Sequence, residues 1–264
     1  MTSENSDSTT SFDLASANKE LLQENLDEAL DQARALDGIL DEIDAGRKFS
    51  GDLVFAISGL NSLLTRIAAT EGYQVLGIIG HRLDDYFSSL KDLPPNVMAD
   101  LRKFAEVLDD LLDKPDSIPS DASEIVRTLP AKGGFDGKDI EIRSIEVMLV
   151  MLQGTATRFV ERELQQCGYR VTRMTNVFEA LPTIVRTKPD LVVISGVMQE
   201  LNGIDLAIGL SAMPATRNVP IALITALGDD DSYLSLLPEN VPIIRKGASF
   251  ADDLFEALDN MFLI

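Results

Sequence analysis

Short apolar segments alternate with helical patterns in the second half of the chain, and this alternation constrains the fold more than any other feature of the sequence. Strands are predicted at 147–152, 170–174, 190–194, 220–225 and 241–245. Helices are predicted at 157–167, 177–187, 203–211, 230–236 (a weak pattern) and 250–262. The first, third and fourth strands are continuous apolar runs, typical of parallel strands buried on both faces. Five such strand–helix units predict a doubly wound α/β sheet whose sites lie at the carboxyl ends of its strands.

The first half of the chain carries apolar residues at helical spacing instead. Helices are predicted over 17–44, 52–69 and 73–91, and a fourth begins after Pro94. Four helices with short connections predict an all-α four-helix bundle. Between Leu22 and Ile43 the apolar residues form a heptad-like seam, and the sequence leaves open whether this seam packs in the bundle core or forms a dimer interface.

Composition shifts predict where these domains begin and end. Residues 1–15 are rich in Ser, Thr and Asp and are predicted to form a disordered tail, followed by the bundle over 16–116. Proline and glycine are dense over 117–143, which predicts a flexible linker before the α/β domain at 144–264. A linker of this length would let the two domains dock on each other.

Charge and residue counts exclude several functional classes. The chain has 43 acidic and 23 basic residues, a net charge of −20, which disfavours nucleic acid and anionic membranes as partners. One cysteine and one histidine exclude an internal disulfide, most zinc sites and histidine-based triads, so no metal or cofactor is predicted. The N-terminus lacks the features of a signal peptide, and the longest apolar run is too short to span a bilayer. We therefore expect a cytoplasmic protein.

Several segments of the second half resemble the response-regulator receiver family. They read KPDLVVISGVMQELNG (188–203), IALITALG (221–228), VPIIRKGA (241–248) and GYRV (168–171). The resemblance covers 146–262 and implies a flavodoxin-like (βα)5 domain. It also implies that the family's switch hydroxyl is retained at Thr225 and its lysine at Lys246.

The same resemblance places substitutions at the family's reactive positions. The aspartate that accepts a phosphoryl group corresponds to Ser195, and the acidic pair that binds Mg²⁺ corresponds to Met151 and Leu152. Thioether and alkyl side chains cannot bind a hard cation. A serine hydroxyl without a metal or an adjacent base is a poor nucleophile. The resemblance therefore implies a pseudo-receiver, which keeps the fold and lacks the phosphoryl chemistry.

The bundle resembles the histidine phosphotransfer domain of chemotaxis-type kinases. EGYQVLGIIGHRLDDYFSSL (71–90) is similar to that family's third helix, and the register then places the acceptor histidine at Ser62 in GLNSLLTRIA (59–68). Helical spacing puts Ser58, Ser62, Thr65 and Arg66 on the face opposite the apolar stripe. His81 is a rival acceptor in the segment HRLDD. Asp84 and Asp85 share its helix face, and their carboxylates would repel an incoming phosphoryl group.

These features predict a non-catalytic adaptor in a bacterial two-component, chemotaxis-type phosphorelay, and not an enzyme. Its expected partners are a histidine kinase or another phosphorelay protein. The alternative is a true histidine phosphotransferase that uses His81. The receiver family's usual partner surface corresponds to 229–237, 241–245 and 250–262. The apolar side chains predicted there are Tyr233, Leu234, Leu237, Phe250 and Phe255. The acidic rim predicted around them consists of Asp229, Asp230, Asp231, Asp252 and Asp253.

Overall fold

The chain forms two compact units, Met1–Ser120 and Asp121–Ile264. A computed structural model describes residues 6–47, 50–88, 90, 93–132, 144–228, 230–247 and 250–261. The first unit is all-helical, and the second is a parallel sheet with helices on both faces. This architecture confirms the predicted fold class. No helix within the described ranges is both long and apolar enough to cross a membrane.

The first unit is built from four helices with short connections. They are α1 (Ser6–Asp44), α2 (Ser50–Ala68), α3 (Gln74–Ser88) and α4 (Pro95–Asp113). Helix α1 packs along α2 and α4, and α2 packs along α3. The approach of α3 to α2 is close, because a Cβ atom at Gly77 would lie 2.7 Å from the Cβ of Ala68. Helix α3 is also joined to α4, where the buried Tyr86 hydroxyl donates to Asp100 at 2.5 Å.

The heptad-like seam of α1 packs inside the bundle. Its central residues are each at most 3% exposed: Leu26, Ala29, Ala33, Leu36 and Leu40. Of the two interpretations left open by the sequence, the structure therefore supports core packing for this part of the seam.

Helix α1 begins earlier than the sequence indicated. A disordered tail was expected over 1–15, whereas the helix extends back to Ser6; residues 1–5 lie outside the described residues. The prediction is wrong for 6–15. The physical reason is that extending an existing helix adds one hydrogen bond for each residue that it orders, so weak helix formers can follow a strong segment.

The second unit contains a five-stranded parallel sheet in the order β2-β1-β3-β4-β5. Its strands are β1 (Glu146–Val150), β2 (Arg170–Met174), β3 (Leu191–Ser195), β4 (Ile221–Thr225) and β5 (Ile243–Arg245). Its helices are α5 (Ser123–Thr128), α6 (Thr155–Gln166), α7 (Val177–Thr187), α8 (Gly203–Ala212) and α9 (Phe250–Asn260). Helices α6 and α9 cover one face of the sheet, and α7 and α8 cover the other. This is the flavodoxin-like strand order, with a crossover point beside β1 and β3.

Part of the predicted linker belongs to this second unit. Within the expected linker 117–143, residues 121–132 contain α5 and pack at the amino ends of the strands; residues 133–143 lie outside the described residues. Arg170 of β2 donates to the carbonyl oxygens of Val126 at 3.1 Å and Leu129 at 2.5 Å. The prediction of a flexible linker is therefore wrong for 121–132. The composition of this segment does not indicate these contacts, because they are made with a residue more than 40 positions away in the chain.

The weak helix expected at 230–236 is a short 3-10 turn at Leu234–Leu236. Its entry is an Asx-type turn, in which the Asp231 carboxylate accepts from the backbone N–H of Tyr233 at 2.9 Å. Aspartate side chains that bond the local backbone in this way compete with α-helix formation. Leu234, 7% exposed, anchors the turn to the core.

Candidate functional site

The carboxyl edge of the sheet brings together three residues singled out by the sequence. Ser195 ends β3, Thr225 ends β4, and Lys246 follows β5. The Lys246 ammonium lies 3.4 Å from the Ser195 hydroxyl, and the Lys246 backbone N–H donates to the Thr225 carbonyl at 2.9 Å. Because parallel strands end at the same edge, residues 30 and 51 positions from Ser195 along the chain become its neighbours.

Both hydroxyls at this edge are buried and bonded to nearby loop backbone. Ser195 is 3% exposed, and its Oγ donates to the Val197 carbonyl at 3.2 Å. Thr225 is 1% exposed, and its Oγ1 accepts from the Leu227 N–H at 3.1 Å. These contacts hold each hydroxyl in one orientation against its own loop. The ammonium of Lys246, an exposed residue, is the cationic group of this site.

Two glycines shape the loop that follows Ser195. The Gly196 N–H donates to the Ile224 carbonyl at 2.8 Å, and a Cβ atom there would lie 3.2 Å from the Thr225 Oγ1. The loop returns at Gly203, whose N–H donates to the Gly196 carbonyl at 3.1 Å. A Cβ atom at Gly203 would lie 1.9 Å from the Ser195 carbonyl oxygen, so this position admits only glycine without movement of the backbone. In the sequence, this loop is indicated by the two glycines that follow Ser195, Gly196 and Gly203.

The residues at the expected metal position do not fit a magnesium ion. Met151 directly follows β1 and is buried in the core beside Val147 and Leu149. Leu152 is half-buried, and its carbonyl accepts from the Thr157 hydroxyl at 2.5 Å. Magnesium prefers oxygen ligands, chiefly carboxylates and water. Throughout the described ranges, no group of three or more His, Cys, Asp or Glu side chains could hold a metal ion.

In the bundle, the candidate acceptor position lies on an exposed helix face. Ser58, Ser62, Thr65 and Arg66 are all exposed on α2. The same side of α2 carries Phe55, whose side chain is 80% exposed, with Val54 beside it. Sequence reasoning did not single out Phe55. The exposure of Phe55 was predictable from the sequence, because Val54 and Phe55 are hydrophobic residues that fall outside the apolar stripe facing the core.

His81 lies on a different helix from Ser62. It is half-buried on α3, with Asp84 exposed and Asp85 buried on the same helix. The neighbouring Gly80 packs against α2, where its Cβ would lie 2.7 Å from the Asn61 side-chain oxygen. The structure therefore places the rival acceptor on the same helix as the two aspartates, and this helix is closely packed against its neighbour.

A cleft of about 450 Å³ lies between α1 and α4, and ion pairs occupy its walls. Arg34 pairs with Asp109 at 2.5 Å, and Arg102 pairs with Asp37 and Asp41. The hydrogen bonds that both guanidinium groups donate to these carboxylates raise the pKa of Arg34 and of Arg102. The charges of the cleft are thus matched to each other across the two helices, which indicates a role in packing α1 against α4.

The expected partner surface around β5 and α9 is only partly apolar. Tyr233 is 57% exposed, whereas Leu234 and Phe250 are buried. Asp253 accepts from the Arg245 backbone N–H at 2.9 Å, which ties α9 to β5. Phe255 is 49% exposed and lies about 200° around the helix from Asp253, so it faces away from β5. Asp229, predicted within this surface, lies outside the described residues.

Comparisons with known proteins locate similarity in the α/β unit. No family model matches the chain. The phosphate regulon transcriptional regulatory protein PhoB of Pseudomonas aeruginosa is 28% identical over 88 residues, which are 33% of this chain. The match spans 38% of that relative's length.

Two solved structures each cover 45% of the chain. A response regulator from Chloroflexus aurantiacus is 21% identical, with a TM-score of 0.40 over 45% of this chain and 98% of its own. The receiver domain of a sensor histidine kinase from Pseudomonas aeruginosa, solved with magnesium in its active-site cleft, is 22% identical with the same TM-score and the same coverage. By strand order and by sequence, the C-terminal region of this chain resembles response-regulator receiver domains.

Proposed function

We propose that this chain is a non-catalytic adaptor in a bacterial two-component system. The observation that carries the proposal is the pairing of Ser195 with Lys246 at the carboxyl end of β3, with Met151 and Leu152 at the end of β1. Receivers of the ordinary kind have an acceptor carboxylate and a metal-binding acidic pair at these positions. The resemblance to receiver domains supports a signalling role, and these residues argue against phosphoryl transfer within that role.

In this proposal the retained residues stabilise a single conformation. The ammonium of Lys246 is held near a neutral hydroxyl, and the Thr225 hydroxyl is engaged by the Leu227 N–H. Neither contact depends on a phosphoryl group. The domain would then act as a docking module that binds its protein partners in one conformation, independently of phosphorylation.

The partner that we propose is a histidine kinase or another phosphorelay protein, and the bundle supplies a surface for it. Phosphotransfer-type bundles present the outer face of their acceptor helix to partners. Here that face has the exposed Phe55 at one end and Ser62 and Arg66 further along α2. An aromatic side chain exposed to this extent contributes binding energy when it is covered, which supports a docking role for α2.

Metal binding and phosphodonor labelling test the proposal directly. At a constant ionic strength of about 0.15 M, where charge repulsion is already screened, millimolar Mg²⁺ should leave the thermal unfolding midpoint unchanged, because a ligand stabilises only a state that it binds. Radiolabelled acetyl phosphate should not label the wild type or Ser195→Asp, since the single substitution does not restore the metal site. A receiver with its full set of carboxylates serves as the positive control. Stoichiometric labelling of the wild type on the α/β unit would overturn the proposal.

The alternative function, histidine phosphotransfer through His81, is tested separately. The full chain is incubated with an active histidine kinase and labelled ATP, and the wild type is compared with His81→Ala. The adaptor proposal expects no acid-labile label on either protein. Label that appears on the wild type and disappears in His81→Ala would establish phosphotransfer. Ser62→Ala serves as the matched control on the neighbouring helix.

A further inference from the structure

The outer surface of α6 and α9 carries exposed aromatic side chains that are held in place. Phe159 of α6 is 41% exposed, and its ring packs edge-on against Phe250 with the ring centroids 5.3 Å apart. Phe250 is 5% exposed and belongs to the core beneath. Phe159 is therefore a pre-ordered aromatic group at the surface, and covering it would cost little side-chain entropy.

Phe255 of α9 lies on the same outer surface. Asp253 marks the flank of α9 that faces β5, because its carboxylate accepts from the Arg245 N–H. Two residues further on, Phe255 projects from the opposite flank of α9. Helices α6 and α9 pack on the same face of the sheet, so Phe159 and Phe255 share one solvent-facing surface. We call this surface the α6/α9 face.

Charges of opposite sign border the two aromatic side chains. On α6, Arg158 and Arg162 are exposed, and the Arg162 guanidinium lies 5.5 Å from the centroid of the Phe159 ring. Arg162 also contacts the Glu163 carboxylate at 3.3 Å, an exposed and weak pair. On α9, the exposed charged residues are all acidic: Asp252, Glu256 and Asp259. One side of the α6/α9 face is thus basic and the other acidic.

We propose that the α6/α9 face binds the same face of a second copy of this chain. A two-fold axis parallel to the two helices places α6 of each copy opposite α9 of the other. Arg158 and Arg162 then face the acidic residues of α9 twice, and the aromatic side chains meet at the centre. Self-complementarity of this kind is what an isologous interface requires. A uniformly basic or uniformly acidic partner would match only one side of the face and would be repelled by the other.

The experiment measures the association state of the full chain by sedimentation equilibrium from micromolar to millimolar protein. The wild type should show a monomer–dimer equilibrium. Phe255→Lys should raise the dimer dissociation constant at least tenfold, because truncating a central aromatic anchor and adding a charge both disfavour the interface. Phe178→Lys is the matched control. Phe178 is 58% exposed on α7, which covers the opposite face of the sheet, and its replacement should leave the constant unchanged.

Charge-reversal substitutions test whether the dimer forms through the α6/α9 face and not through another surface. Arg162→Glu and Glu256→Arg should each weaken the dimer, and the two together should recover most of the loss if they meet across the axis. Circular dichroism of each variant verifies that the fold is retained. A wild type that remains monomeric at millimolar concentration would overturn the proposal. So would a dimer that resists Phe255→Lys but is lost in Tyr233→Lys, or in Phe55→Lys on the bundle.

Discussion

At the scale of single residues, the candidate site depends on a close backbone approach. The loop after β3 turns back so tightly that Gly203 lies against the Ser195 carbonyl oxygen, where any Cβ would sit 1.9 Å away. This contact positions Ser195, whose hydroxyl meets Lys246. The identity of residue 203 therefore determines the geometry of an edge to which it contributes no side chain.

Replacing this glycine should be costly. Gly203→Ala is expected to destabilise the α/β unit by about 3 kcal/mol or more, because the new methyl group must displace the backbone. The measurement is urea-induced unfolding. Gly209→Ala, at a position in the same helix with nothing within 4 Å of the added carbon, is the matched control and should be neutral or stabilising by up to about 1 kcal/mol. Equal effects of the two substitutions would contradict this account of the loop.

Asp121 provides a pH dependence at the residue scale. Hydrogen bonds from Lys188 and from Ser123 lower its pKa to about 2. A carboxylate with a depressed pKa in the folded state contributes stability at pH values above its unfolded pKa of about 4, and this stability is lost as the pH falls through the folded value. Wild type and Asp121→Asn should therefore differ most at pH 5 and converge as the pH approaches 2. Because the ion pair is exposed, we expect less than about 1 kcal/mol. A difference in urea unfolding that is independent of pH would disprove this assignment.

At the scale of elements, the short segment 121–132 closes the amino-end edge of the sheet. Arg170 bonds two carbonyl oxygens of this segment and the Glu146 carboxylate of β1, the last at 2.5 Å. Arg127 adds a two-pronged contact to Asp190 at 3.0 and 3.1 Å, which raises the pKa of the arginine. Helix α5 is only six residues long and gains its stability from these tertiary contacts.

The Arg170 contacts can be tested by removal. Arg170→Ala leaves the Glu146 carboxylate, 3% exposed, without its arginine and removes one donor from each of two carbonyl groups. Breaking a buried pair in this way costs about 3–5 kcal/mol, which urea unfolding would resolve. Arg217→Ala, an exposed arginine in the same unit, should change stability by less than about 0.5 kcal/mol. A small loss of unfolding free energy in Arg170→Ala would mean that contacts other than those of Arg170 hold the segment 121–132 in place.

At the scale of the whole molecule, the net charge of −20 is the dominant electrostatic property. Because the chain has 43 acidic and 23 basic residues, we expect like-charge repulsion to outweigh the exposed ion pairs. Salt screens this repulsion, since the Debye length falls from about 30 Å at 0.01 M to about 8 Å at 0.15 M. Added salt should therefore favour the compact state.

We expect the thermal unfolding midpoint to rise by a few degrees between 0.01 and 0.15 M NaCl, which corresponds to about 1 kcal/mol for a chain of this size. KCl should give the same rise, because screening depends on ionic strength and not on the identity of a monovalent cation. A midpoint that falls with salt would show that the ion pairs of α1 and α4, such as Arg34 with Asp109, outweigh the repulsion.

The sequence by itself determined the fold class, the parallel strands and the edge that gathers Ser195, Thr225 and Lys246. These features follow from local periodicity: buried apolar runs predict strands, and the ends of parallel strands meet at one edge. Exposure of Ser62 on α2 was predictable for the same reason, because helical spacing separates a polar face from an apolar one. That Ser195 and Ser62 are degenerate acceptor positions, and that His81 is the rival acceptor in the bundle, remain predictions.

Tertiary structure decided what depends on residues distant in sequence. The segment 121–132 has the composition of a linker, and contacts with residues distant in sequence, such as those of Arg170 and Asp190, make it part of the sheet unit. The flank on which Phe255 projects was fixed by the bond between Asp253 and β5, which no periodicity reveals. Local patterns report which side of an element is buried. They do not report which neighbour buries it, because that depends on the hydrogen bonds and surfaces that the folded chain brings together.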